Sequence, residues 1–490
     1  MRPRKIRRVT VQGSAEVPES IIDRLRGVVG VEAVLTDPAS TRVYECDGFT
    51  LARSAPAVVL LPASLEEVVG VVRILDDAAI AFVPRGAGTG LSGGCLPVRA
   101  PVMIATSRMR RIREIDFANR RVVAEAGVVN LHVSRAAEAE GLFYAPDPSS
   151  QSACTIGGNI AENSGGPHTL KYGVTTNHVL AVEMVLPSGE VVVLGGDTED
   201  VPGFDLRGLA IGAEGTFGIV TAATLRLVRM PQSVRTLLGV FDSVDDACRA
   251  VSAIIAAGML PAALELMDRL IVEAVEAAYG YGFPANAGAV LIVEMDGLEA
   301  GMVEQVAAID GHLRTHGARE VRVARDDAER AALWKSRKRA FGAVGRLAPN
   351  YCTQDGVVPR GSVPEILRRI ADVAARHRLR IANVFHAGDG NIHPIILFDE
   401  SDRDEVARVL SAGREILEAC VDLGGSVTGE HGIGVEKMEQ MPLLFSPESL
   451  AVMQALRHVF DPLQRCNPGK IFPTPGGCVE VGTPRRQVPA

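Results

Sequence analysis

Two histidines near the C-terminal end of this 490-residue chain flank a dipeptide that is typical of tight turns. They are His386 and His393, and Asp389-Gly390 lies between them, bordered by apolar segments. Asp-Gly favours a two-residue β-hairpin turn because both turn residues must accept positive φ. A turn centred there places the two imidazoles directly opposite each other, with Asn391 on the same face. Two imidazoles in that arrangement can share a divalent metal ion.

A third metal ligand must come from elsewhere, and Glu430 in the glycine-flanked stretch Gly429–Gly432 is the natural candidate. Three protein ligands leave one coordination position open for a substrate, as in catalytic zinc sites. Two histidines and a carboxylate also describe non-haem iron sites, so the pattern leaves the identity of the metal open. His431, beside this ligand, would be a base that titrates near neutral pH. The alternative for His431 is a structural histidine with one backbone hydrogen bond.

A glycine-dense stretch in the first quarter of the chain, residues 84–94, indicates a phosphate-binding loop. Five glycines within nine residues allow successive backbone N–H groups to approach an anion closely. Gly88-x-Gly90-x-x-Gly93 also matches the Rossmann fingerprint, but Pro97 and Pro101 argue against the helix which that fold requires next. No Gly-Lys-Ser/Thr follows, which excludes a Walker A loop. We therefore predict a strand–loop–strand pyrophosphate cradle; the alternative is a surface loop without a ligand.

Small residues also cluster at two later places, which are residues 154–166, followed by Lys171-Tyr172-Gly173, and residues 212–221. Small and amide side chains at this density allow backbone groups to contact a large, flat ligand. A loop that only connected two elements would not need so many glycines. These clusters therefore predict a second part of the same binding site.

The composition limits the classes of function. A net charge of −8 gives no electrostatic footprint for nucleic acid, and no run of about 18 apolar residues spans a membrane. The basic N-terminus, residues 1–8, lacks a following apolar segment and is not a secretory signal. The eight cysteines contain no C-x-x-C. They indicate reduced thiols in a cytoplasmic protein and exclude an iron–sulfur cluster of the usual spacing.

The elements that must position these residues begin with a leader, residues 1–55, that contains a helix over 19–28. Ser64 opens an amphipathic helix that runs to about Asp77, because Ser64-Leu65-Glu66-Glu67 forms a capping box. A strand over 79–83 then feeds the glycine-dense loop.

A hairpin of 183–186 with 191–194 follows the second cluster, and a strand over 223–228 follows the third. After Pro231, β–α–β units without glycine clusters predict a second, mixed α/β domain, with a strand over 290–294 and a helix over 302–315.

Taken together, these motifs resemble the FAD-linked oxidase family with the vanillyl-alcohol-oxidase fold, which includes the PCMH-type FAD-binding domains. The resemblance covers roughly residues 40–474. Within the family, the chain is similar to the D-2-hydroxyacid dehydrogenases: the glycolate oxidase FAD subunit, D-lactate dehydrogenase and D-2-hydroxyglutarate dehydrogenase. The segments that carry the resemblance are 84–94, 146–150, 155–159, 163–166, 214–220, 386–393, 430–431 and 466–472.

The resemblance implies an α+β fold. It consists of a two-part FAD-binding domain of the vanillyl-alcohol-oxidase type, an α/β (ferredoxin-like) substrate cap domain and a C-terminal helical segment that returns to the flavin. The implied divisions are 1–55 for the leader and helix, 56–230 for the FAD-binding domain, 231–474 for the cap domain with the C-terminal flavin-contacting segment, and 475–490 for a tail.

The resemblance also implies which residues bind FAD. Those that would hold the pyrophosphate are Arg85, Gly86, Ala87, Gly88, Thr89, Gly90, Leu91 and Ser92. Those that would contact the rest of the cofactor are Pro146, Asp147, Ser150, Gly157, Gly158, Asn159, Ser164, Glu214, Gly218, Ile219 and Asn467. Some relatives attach the flavin covalently through a histidine of the loop. This loop contains none, so we expect non-covalent FAD.

By the same resemblance, the residues that would bind a divalent metal, with zinc favoured, are His386, His393 and Glu430. Asn391 would contact the substrate and His431 would be the catalytic base.

The motif Trp334-Lys335-Ser336-Arg337 is similar to one whose arginine binds the substrate carboxylate, a task that suits a planar, bidentate guanidinium. The alternative places Arg337 on a solvated helix beside Lys338 and Arg339.

The expected reaction is the FAD-dependent oxidation of a D-2-hydroxy acid to the 2-oxo acid. Phe341 and Thr353 occupy two places where hydroxyglutarate dehydrogenases carry polar or basic residues for a second carboxylate, which favours glycolate or D-lactate as substrate. D-2-hydroxyglutarate dehydrogenase is the alternative within the family. Outside it, the alternatives are a metallohydrolase without redox chemistry and a nucleotide-binding regulatory subunit that has lost catalysis.

The expected partners follow from the absence of cluster and haem motifs in the sequence. Electrons would pass to a separate acceptor, which is a quinone system, an electron-transfer flavoprotein or iron–sulfur partner subunits. We expect no nucleic-acid partner and no transmembrane segment. The expected location is the cytoplasm, with a peripheral position at the inner face of the membrane as the alternative, and a homodimer is one arrangement considered.

Overall fold

The computed structural model describes residues 16–199 and 202–473. The basic N-terminal residues 1–8, Cys478 and the tail 475–490 lie outside the described residues. Within the described part, none of the helices combines the length and the apolarity that crossing a membrane requires.

The first sheet contains three parallel strands and one antiparallel edge strand, in the order β1-β2-β4-β3. The strands are β1 Val34–Leu35, β2 Val58–Leu60, β3 Phe82–Arg85 and β4 Val102–Ala105. The glycine-dense loop joins β3 to β4, so the predicted strand–loop–strand arrangement is confirmed.

Two helices, α1 Glu19–Val29 and α3 Leu65–Asp77, pack against the first sheet in one apolar core. The Ser64 hydroxyl caps α3 by accepting a hydrogen bond from the backbone N–H of Glu67 at 3.3 Å, as the capping box predicts. The predicted strand over 79–83 begins later, because Ala79 adopts a φ of 57° and the chain is still turning away from α3 there.

The second sheet is antiparallel, in the order β5-β6-β10-β8-β9. Its strands are β5 Ile112–Asp116, β6 Arg121–Glu125, β8 Val179–Val185, β9 Val191–Gly195 and β10 Ile219–Arg226. β7 Leu142–Phe143 pairs separately with β11 Val228–Arg229. The predicted hairpin is confirmed, since Val185 pairs with Val191. The remaining helices of this part are α2 Pro38–Thr41, α4 Asn130–Ala137, α5 Ile156–Glu162, α6 Thr169–Tyr172 and α7 Leu206–Ala210.

The third sheet forms the second part of the molecule and is antiparallel throughout. Its strands are β12 Ser233–Phe241, β13 Ala263–Asp268, β14 Ala289–Gly297, β15 Ala318–Val323, β16 Asn350–Thr353, β17 Gly356–Val357, β18 Arg380–His386 and β19 Asn391–Phe398. The order β15-β12-β14-β13 corresponds to strands 4-1-3-2 of a ferredoxin-like unit, and β18-β19-β16 extend it. We call this part the cap.

Helices cover the cap sheet. They are α8 Val244–Ala256, α9 Arg269–Tyr279, α10 Met302–Thr315, α11 Asp327–Lys338, α12 Ala340–Val344, α13 Val363–His377 and α14 Arg403–Asp422, followed by α15 Met441–Leu444 and α16 Pro447–Phe460. After α16 the chain returns to the first sheet. There Phe82 of β3 donates its N–H to the carbonyl of Arg465 at 2.9 Å and accepts from the N–H of Asn467 at 2.8 Å.

Candidate active site

One cavity of about 600 Å³ lies between the first two sheets and the cap. Many of the predicted site residues line it. They are Arg85, Gly86, Ala87, Gly88, Thr89, Gly90, Leu91, Ser150, Gly157, Gly158, Asn159, Ser164, Glu214, Gly218 and Ile219 on one side, and Arg337, His393, Glu430 and His431 on the other. The fold therefore brings the two groups of chemistry-bearing motifs, which are far apart in sequence, onto one cavity.

The glycine loop, residues 84–94, owes its shape to close packing at two positions. A Cβ on Gly86 would lie 2.6 Å from the Thr155 hydroxyl and 3.4 Å from the backbone of Gly158, so the loop packs directly on the first turn of α5. Gly88 adopts a φ of 71°, and a Cβ there would collide with the guanidinium of Arg85. These glycines are required by the protein itself.

Gly90 differs, because its φ lies outside the left-handed region and a Cβ there would meet only the Glu162 carboxylate at 3.9 Å. Gly90 lines the cavity. Neither the backbone conformation nor the packing of the described residues requires glycine at this position. A side chain here would instead obstruct a ligand that occupies the cavity. This is the fit expected of a cofactor cradle.

The Arg85 guanidinium, predicted to hold pyrophosphate, binds the leader. It donates to the carbonyl of Cys46 at 2.9 Å and lies 5.6 Å from the centroid of the Tyr44 ring. Gly48 donates its N–H to the carbonyl of Gly90 at 2.8 Å, and residues 47–53 contribute to the cavity wall. The described part of the leader is therefore built into the site, which its sequence did not indicate.

Four predicted cofactor residues lie behind the cavity wall and support it. The Ser92 carbonyl accepts from the N–H of Val435 at 2.9 Å, and the Pro146 carbonyl accepts from Asn130 Nδ2 at 3.1 Å. The Asp147 carboxylate lies 2.7 Å from His168 Nδ1. Asn467 Nδ2 donates to the carbonyls of Gly94 and Glu214 at 2.9 and 2.7 Å.

The histidine hairpin has a longer turn than Asp389-Gly390 predicts. His386 pairs with Asn391, and His393 pairs with Val384, so residues 387–390 form a four-residue loop. The loop is longer because Ala387 still donates its N–H to Leu264 of β13 at 2.8 Å. The prediction that the histidines lie directly opposite each other is therefore wrong. The shift is by two residues, which preserves the face, and the two ring centroids are 5.2 Å apart.

Glu430 completes a three-residue cluster with the two histidines. Its Oε1 lies 3.4 Å from His386 Nε2 and 3.2 Å from His393 Nε2. Ligand atoms at the corners of a tetrahedron with bonds of 2.0–2.1 Å would be about 3.3 Å apart. The donor set and spacing therefore fit a divalent cation. We call His386, His393, Glu430 and His431 the histidine cluster.

Glu265 of β13 holds the outer side of His386. Its Oε1 accepts from Nδ1 of that ring at 2.6 Å, which directs Nε2 toward the centre in the manner of carboxylate–histidine–metal triads. Burial lowers the pKa of His386, and Glu265 and Glu430 raise it by more than burial lowers it. The pKa of His386 therefore lies well above its ordinary value. Burial raises the pKa of Glu430, and hydrogen bonds from the two histidines bring it well below its ordinary value.

Asp355 anchors the loop that carries Glu430 and His431. Its Oδ2 accepts from the Thr428 hydroxyl at 2.7 Å and from the N–H groups of Gly429 and His431 at 2.8 and 3.0 Å. Burial raises the pKa of Asp355, but the neighbouring cationic groups lower it more, so that it lies well below its ordinary value. The carboxylate thus stays ionised and holds the loop in place.

His431 lies on the cavity wall with its ring stacked on His393, the centroids 5.0 Å apart and the planes 6° apart. Burial lowers the pKa of His431 to about 4. The expectation of a group that titrates near neutral pH is therefore wrong, because the surrounding protein removes water from the ring. Asn391 lies behind this wall against Gly429, and its predicted contact with substrate would require that loop to shift.

Arg337 is buried with 1% of its surface exposed, whereas its neighbours Lys338 and Arg339 are exposed. Its Nε lies 2.7 Å from Glu265 Oε2, and the side chain lines the cavity. The alternative of a solvated Arg337 is therefore wrong. Phe341 and Thr353 also line the cavity.

Sequence reasoning missed the carboxylates that support the site, chiefly Glu265 and Asp355. Glu265 lies 121 residues before the histidine that it holds, so local spacing gives no hint of the pair. One signal was present: Glu265 is a charged residue within the otherwise apolar stretch 262–267, and a charge in a buried strand is rarely left unpaired.

Comparisons with known proteins agree with this architecture. The chain matches the family model described as FAD binding domain over residues 56–195, and that of FAD linked oxidases, C-terminal domain, over residues 230–471. The chain is similar to glycolate oxidase subunit GlcD of Escherichia coli strain K12, with 45% identity over 455 residues that cover 93% of this chain and 91% of that protein.

Two more distant relatives extend the comparison. Glycolate oxidase subunit GlcD of Bacillus subtilis is 38% identical, covering 93% of this chain and 97% of that protein. D-lactate dehydrogenase of Anaerostipes hadrus is 30% identical, covering 93% and 98%. Among solved structures, p-cresol methylhydroxylase with substrate bound has a TM-score of 0.78 at 17% identity, covering 92% of this chain and 96% of that one. This last likeness concerns the fold, and it confirms the predicted fold class.

Proposed function

The chain belongs to the FAD-linked oxidase family, and we propose that it oxidises a D-2-hydroxy acid to the 2-oxo acid. The observation that carries the proposal is the single cavity that joins the glycine loop to His431 and Arg337. The reaction removes a hydride from the carbon that bears the hydroxyl and a proton from the hydroxyl. A site for it needs a redox cofactor, a carboxylate anchor and a base within one enclosed space.

FAD is the family's cofactor, and when bound it supplies the acceptor for the hydride. The open space beside Gly90 and the backbone cradle of the glycine loop support its placement on that wall. Because the loop has no histidine, we propose that FAD is bound non-covalently. Acid precipitation should then leave the protein colourless and the flavin in the supernatant.

Arg337 is proposed to bind the substrate carboxylate. Glu265 lies against its Nε at 2.7 Å, which fixes one edge of the guanidinium and leaves the other N–H groups for a ligand. A buried guanidinium that is only partly paired favours an anion that enters the cavity.

His431 is proposed to accept the hydroxyl proton. Stacking on His393 orients its ring, and the bond from its backbone N–H to Asp355 fixes the loop that carries it. A ring that is neutral at physiological pH, because burial lowers its pKa to about 4, is in the protonation state that a general base requires.

We further propose that His386, His393 and Glu430 hold a divalent cation, with zinc favoured. Such a cation would polarise the substrate hydroxyl and ease its deprotonation. The support is the distance from Glu430 Oε1 to each histidine Nε2, close to a tetrahedral edge, with all three donor atoms within 4.8 Å of one another, together with the carboxylate of Glu265 behind His386.

The side chains near Arg337 favour a small monocarboxylate. Phe341 presents an apolar ring to the cavity, and Thr353 carries no charge. A second carboxylate placed there would lose water without gaining a cationic partner. Glycolate or D-lactate is therefore proposed over D-2-hydroxyglutarate.

The reduced cofactor must pass its electrons to an acceptor. The sequence contains no iron–sulfur cluster motif of the usual spacing and no haem attachment motif, so the acceptor is a separate molecule. We propose a quinone system, an electron-transfer flavoprotein or iron–sulfur partner subunits in that role. Homodimer formation and peripheral association with the inner face of the membrane are further proposals.

The test begins with the absorption spectrum of the purified protein, which should show bound flavin. Glycolate, D-lactate, L-lactate and D-2-hydroxyglutarate are then mixed anaerobically with the protein, and bleaching of the flavin band is followed. We expect glycolate or D-lactate to reduce the flavin fastest. A protein that is colourless and takes up no FAD on reconstitution, or a flavin that no 2-hydroxy acid reduces, would overturn the proposal.

A further inference from the structure

A polar chain outside the catalytic residues connects the flavin-binding part with the cap. His168 lies between two carboxylates: its Nδ1 is 2.7 Å from Asp147 Oδ2, and its Nε2 is 3.2 Å from Glu294 Oε1. Asp147 precedes residues 148–150, which line the cavity on the flavin side. Glu294 belongs to β14 of the cap and is buried. One imidazole therefore bridges the two halves of the molecule.

On the cap side, Glu294 binds helix α11. Its Oε2 accepts from Trp334 Nε1 at 2.5 Å and from Arg330 Nε at 2.9 Å. Residues 330, 334 and 337 follow each other at intervals of four and three and therefore share one face of the helix. Arg337 lies on the same face, one turn after the indole that Glu294 holds. The position of this arginine is thus coupled to the carboxylate that His168 binds.

In this polar chain, the carboxylates of Asp147 and Glu294 require a positive charge on His168 between them. Burial lowers the pKa of His168, but Asp147 and Glu294 raise it to about 10, so that the ring is an imidazolium at neutral pH. The Trp334 ring packs against it with the centroids 5.2 Å apart. The charged groups that face this assembly are Asp147 from the flavin side, and Glu294 and Arg330 from the cap. One buried and one partly buried carboxylate held by the same ring strongly restrict where each can lie.

We propose that His168 is a positioning residue for the substrate carboxylate: through Glu294 and Trp334 it sets where Arg337 points relative to the flavin-side wall. The inference rests on the proposed function, since it assigns Arg337 to a carboxylate ligand. Hydride transfer depends on the mutual placement of substrate and cofactor within fractions of an ångström. A bridge between the wall that holds one and the helix that holds the other serves that requirement.

The molecule contains a second contact that joins the same two parts, and among the described residues its carboxylate accepts hydrogen bonds from Lys171 and Tyr172 and none from α11. The Tyr172 hydroxyl donates to Asp296 Oδ2 at 2.5 Å, and Asp296 lies two residues beyond Glu294 on β14. If His168 served only to hold the two parts together, loss of the Tyr172 bond should have a similar effect on substrate binding. If His168 positions Arg337, only its own loss should matter. Tyr172→Phe is therefore the control.

The test measures anaerobic reduction of the flavin by glycolate and D-lactate in full-length holoenzyme, which separates the substrate dissociation constant from the limiting rate. We expect His168→Gln to raise the dissociation constant about tenfold or more with FAD content unchanged, and Tyr172→Phe to change it less than about twofold. A double-mutant cycle with Arg337→Lys completes the test, since residues that act as one unit show non-additive effects. Once Arg337 is replaced, His168→Gln should add little.

The outcomes separate this inference from the proposed function. If none of the 2-hydroxy acids reduces the wild-type flavin, the proposed function fails. If wild type is reduced and His168→Gln binds substrate equally well, the inference is overturned. An equal loss in Tyr172→Phe, or full additivity with Arg337→Lys, also overturns it. Should His168→Gln fail to fold, Trp334→Phe, which removes the indole N–H donor to Glu294 together with part of the ring that packs on His168, decides: wild-type substrate binding in that variant rejects the inference.

Discussion

The two walls of the cavity are built in opposite ways. The glycine loop is one continuous segment between two parallel strands, and it offers mainly backbone to the cavity. The histidine cluster comes from two strands and a distant loop, and it is built from charged and titratable side chains. The flavin-side wall is thus encoded locally, whereas the chemistry of the cap depends on residues far away in sequence.

This difference sets where each wall is vulnerable. A backbone cradle fails when a side chain is added to it, because the added atoms meet the protein itself, as at Gly86, or enter the cavity, as at Gly90. A cluster of buried charges fails when a supporting partner is removed, because an unpaired buried charge costs several kcal/mol. The glycine loop should therefore tolerate substitutions around it, and the histidine cluster should be sensitive to changes at Glu265 and Asp355.

The largest expected effect is at His431. His431→Ala should lower the limiting rate of flavin reduction by about 10²–10⁴-fold, the usual contribution of a well-placed general base. The ratio of flavin to protein should stay that of wild type, because the glycine loop is untouched. Rapid-mixing absorbance with glycolate and D-lactate measures both quantities. The control is His458→Ala, an exposed histidine of α16. A His431→Ala enzyme with the wild-type rate would remove this residue from the mechanism.

Loss of the residue that supports the proposed metal ligands should rank second. Glu265→Gln should weaken binding of a divalent ion about 10–100-fold, as is usual when an outer-shell partner of a ligating histidine is lost. Metal analysis after dialysis against a graded chelator series measures this, with activity followed in parallel. The matched control is Glu436→Gln, which changes a cap carboxylate that does not contact the histidines. Full activity in wild-type protein that contains no detectable metal would contradict the proposed cation site.

The same contrast explains what the sequence could predict. The strand–loop–strand cradle, the capped helix α3 and the 183–194 hairpin are local and were predicted correctly. The 386–393 hairpin was predicted with the wrong turn, because the bond from Ala387 to β13 is a tertiary contact that no dipeptide preference reveals. The prediction that His431 titrates near neutral pH was wrong for a similar reason, since the burial of its ring arises from the packing of segments that are distant in sequence.

The carboxylates Glu265 and Asp355 could not be assigned from sequence at all. Each is separated by more than 70 residues from the group that it holds. Only the cap sheet brings β13 beside β18, and only the loop after α14 brings residues 428–431 over Asp355. A resemblance to a family identifies the ligands of a site more readily than the residues that support those ligands.

A smaller effect is expected on the flavin side. Gly90→Val should raise the dissociation constant of FAD about tenfold, equivalent to about 1.4 kcal/mol, because its side chain would enter the cavity rather than the protein interior. Titration of apoprotein with FAD, followed by fluorescence quenching, measures this. Gly311→Ala in α10 is the control: nothing lies within 4 Å of the added Cβ, and a helical Gly→Ala change should stabilise the fold by about 0.5–1 kcal/mol. Unchanged FAD affinity in Gly90→Val would show that the occupant does not reach this part of the loop.

The smallest effect on the reaction is expected where the two walls meet, at Glu436, whose change should alter stability and leave the rate of flavin reduction unchanged. Its N–H donates to the carbonyl of Ser92 in the glycine loop at 3.2 Å, and its Oε1 accepts from Gln354 Nε2 in the cap at 3.1 Å. Burial raises the pKa of Glu436 from 4.5 to about 7. A carboxyl whose pKa is higher in the folded state stabilises the fold below its unfolded pKa, and that contribution is lost as pH rises through the folded pKa.

The free energy of unfolding of wild type should therefore fall relative to that of Glu436→Gln between about pH 4.5 and pH 7, by about 1–3 kcal/mol, and the difference should level off above that range. Urea unfolding across the pH series, monitored by flavin fluorescence and by circular dichroism, measures it. The rate of flavin reduction should not change, because Glu436 supports the junction and touches neither metal ligand nor base. A stability difference that is independent of pH would mean that this carboxyl titrates normally, and that the junction between the walls is more open to water than its packing indicates.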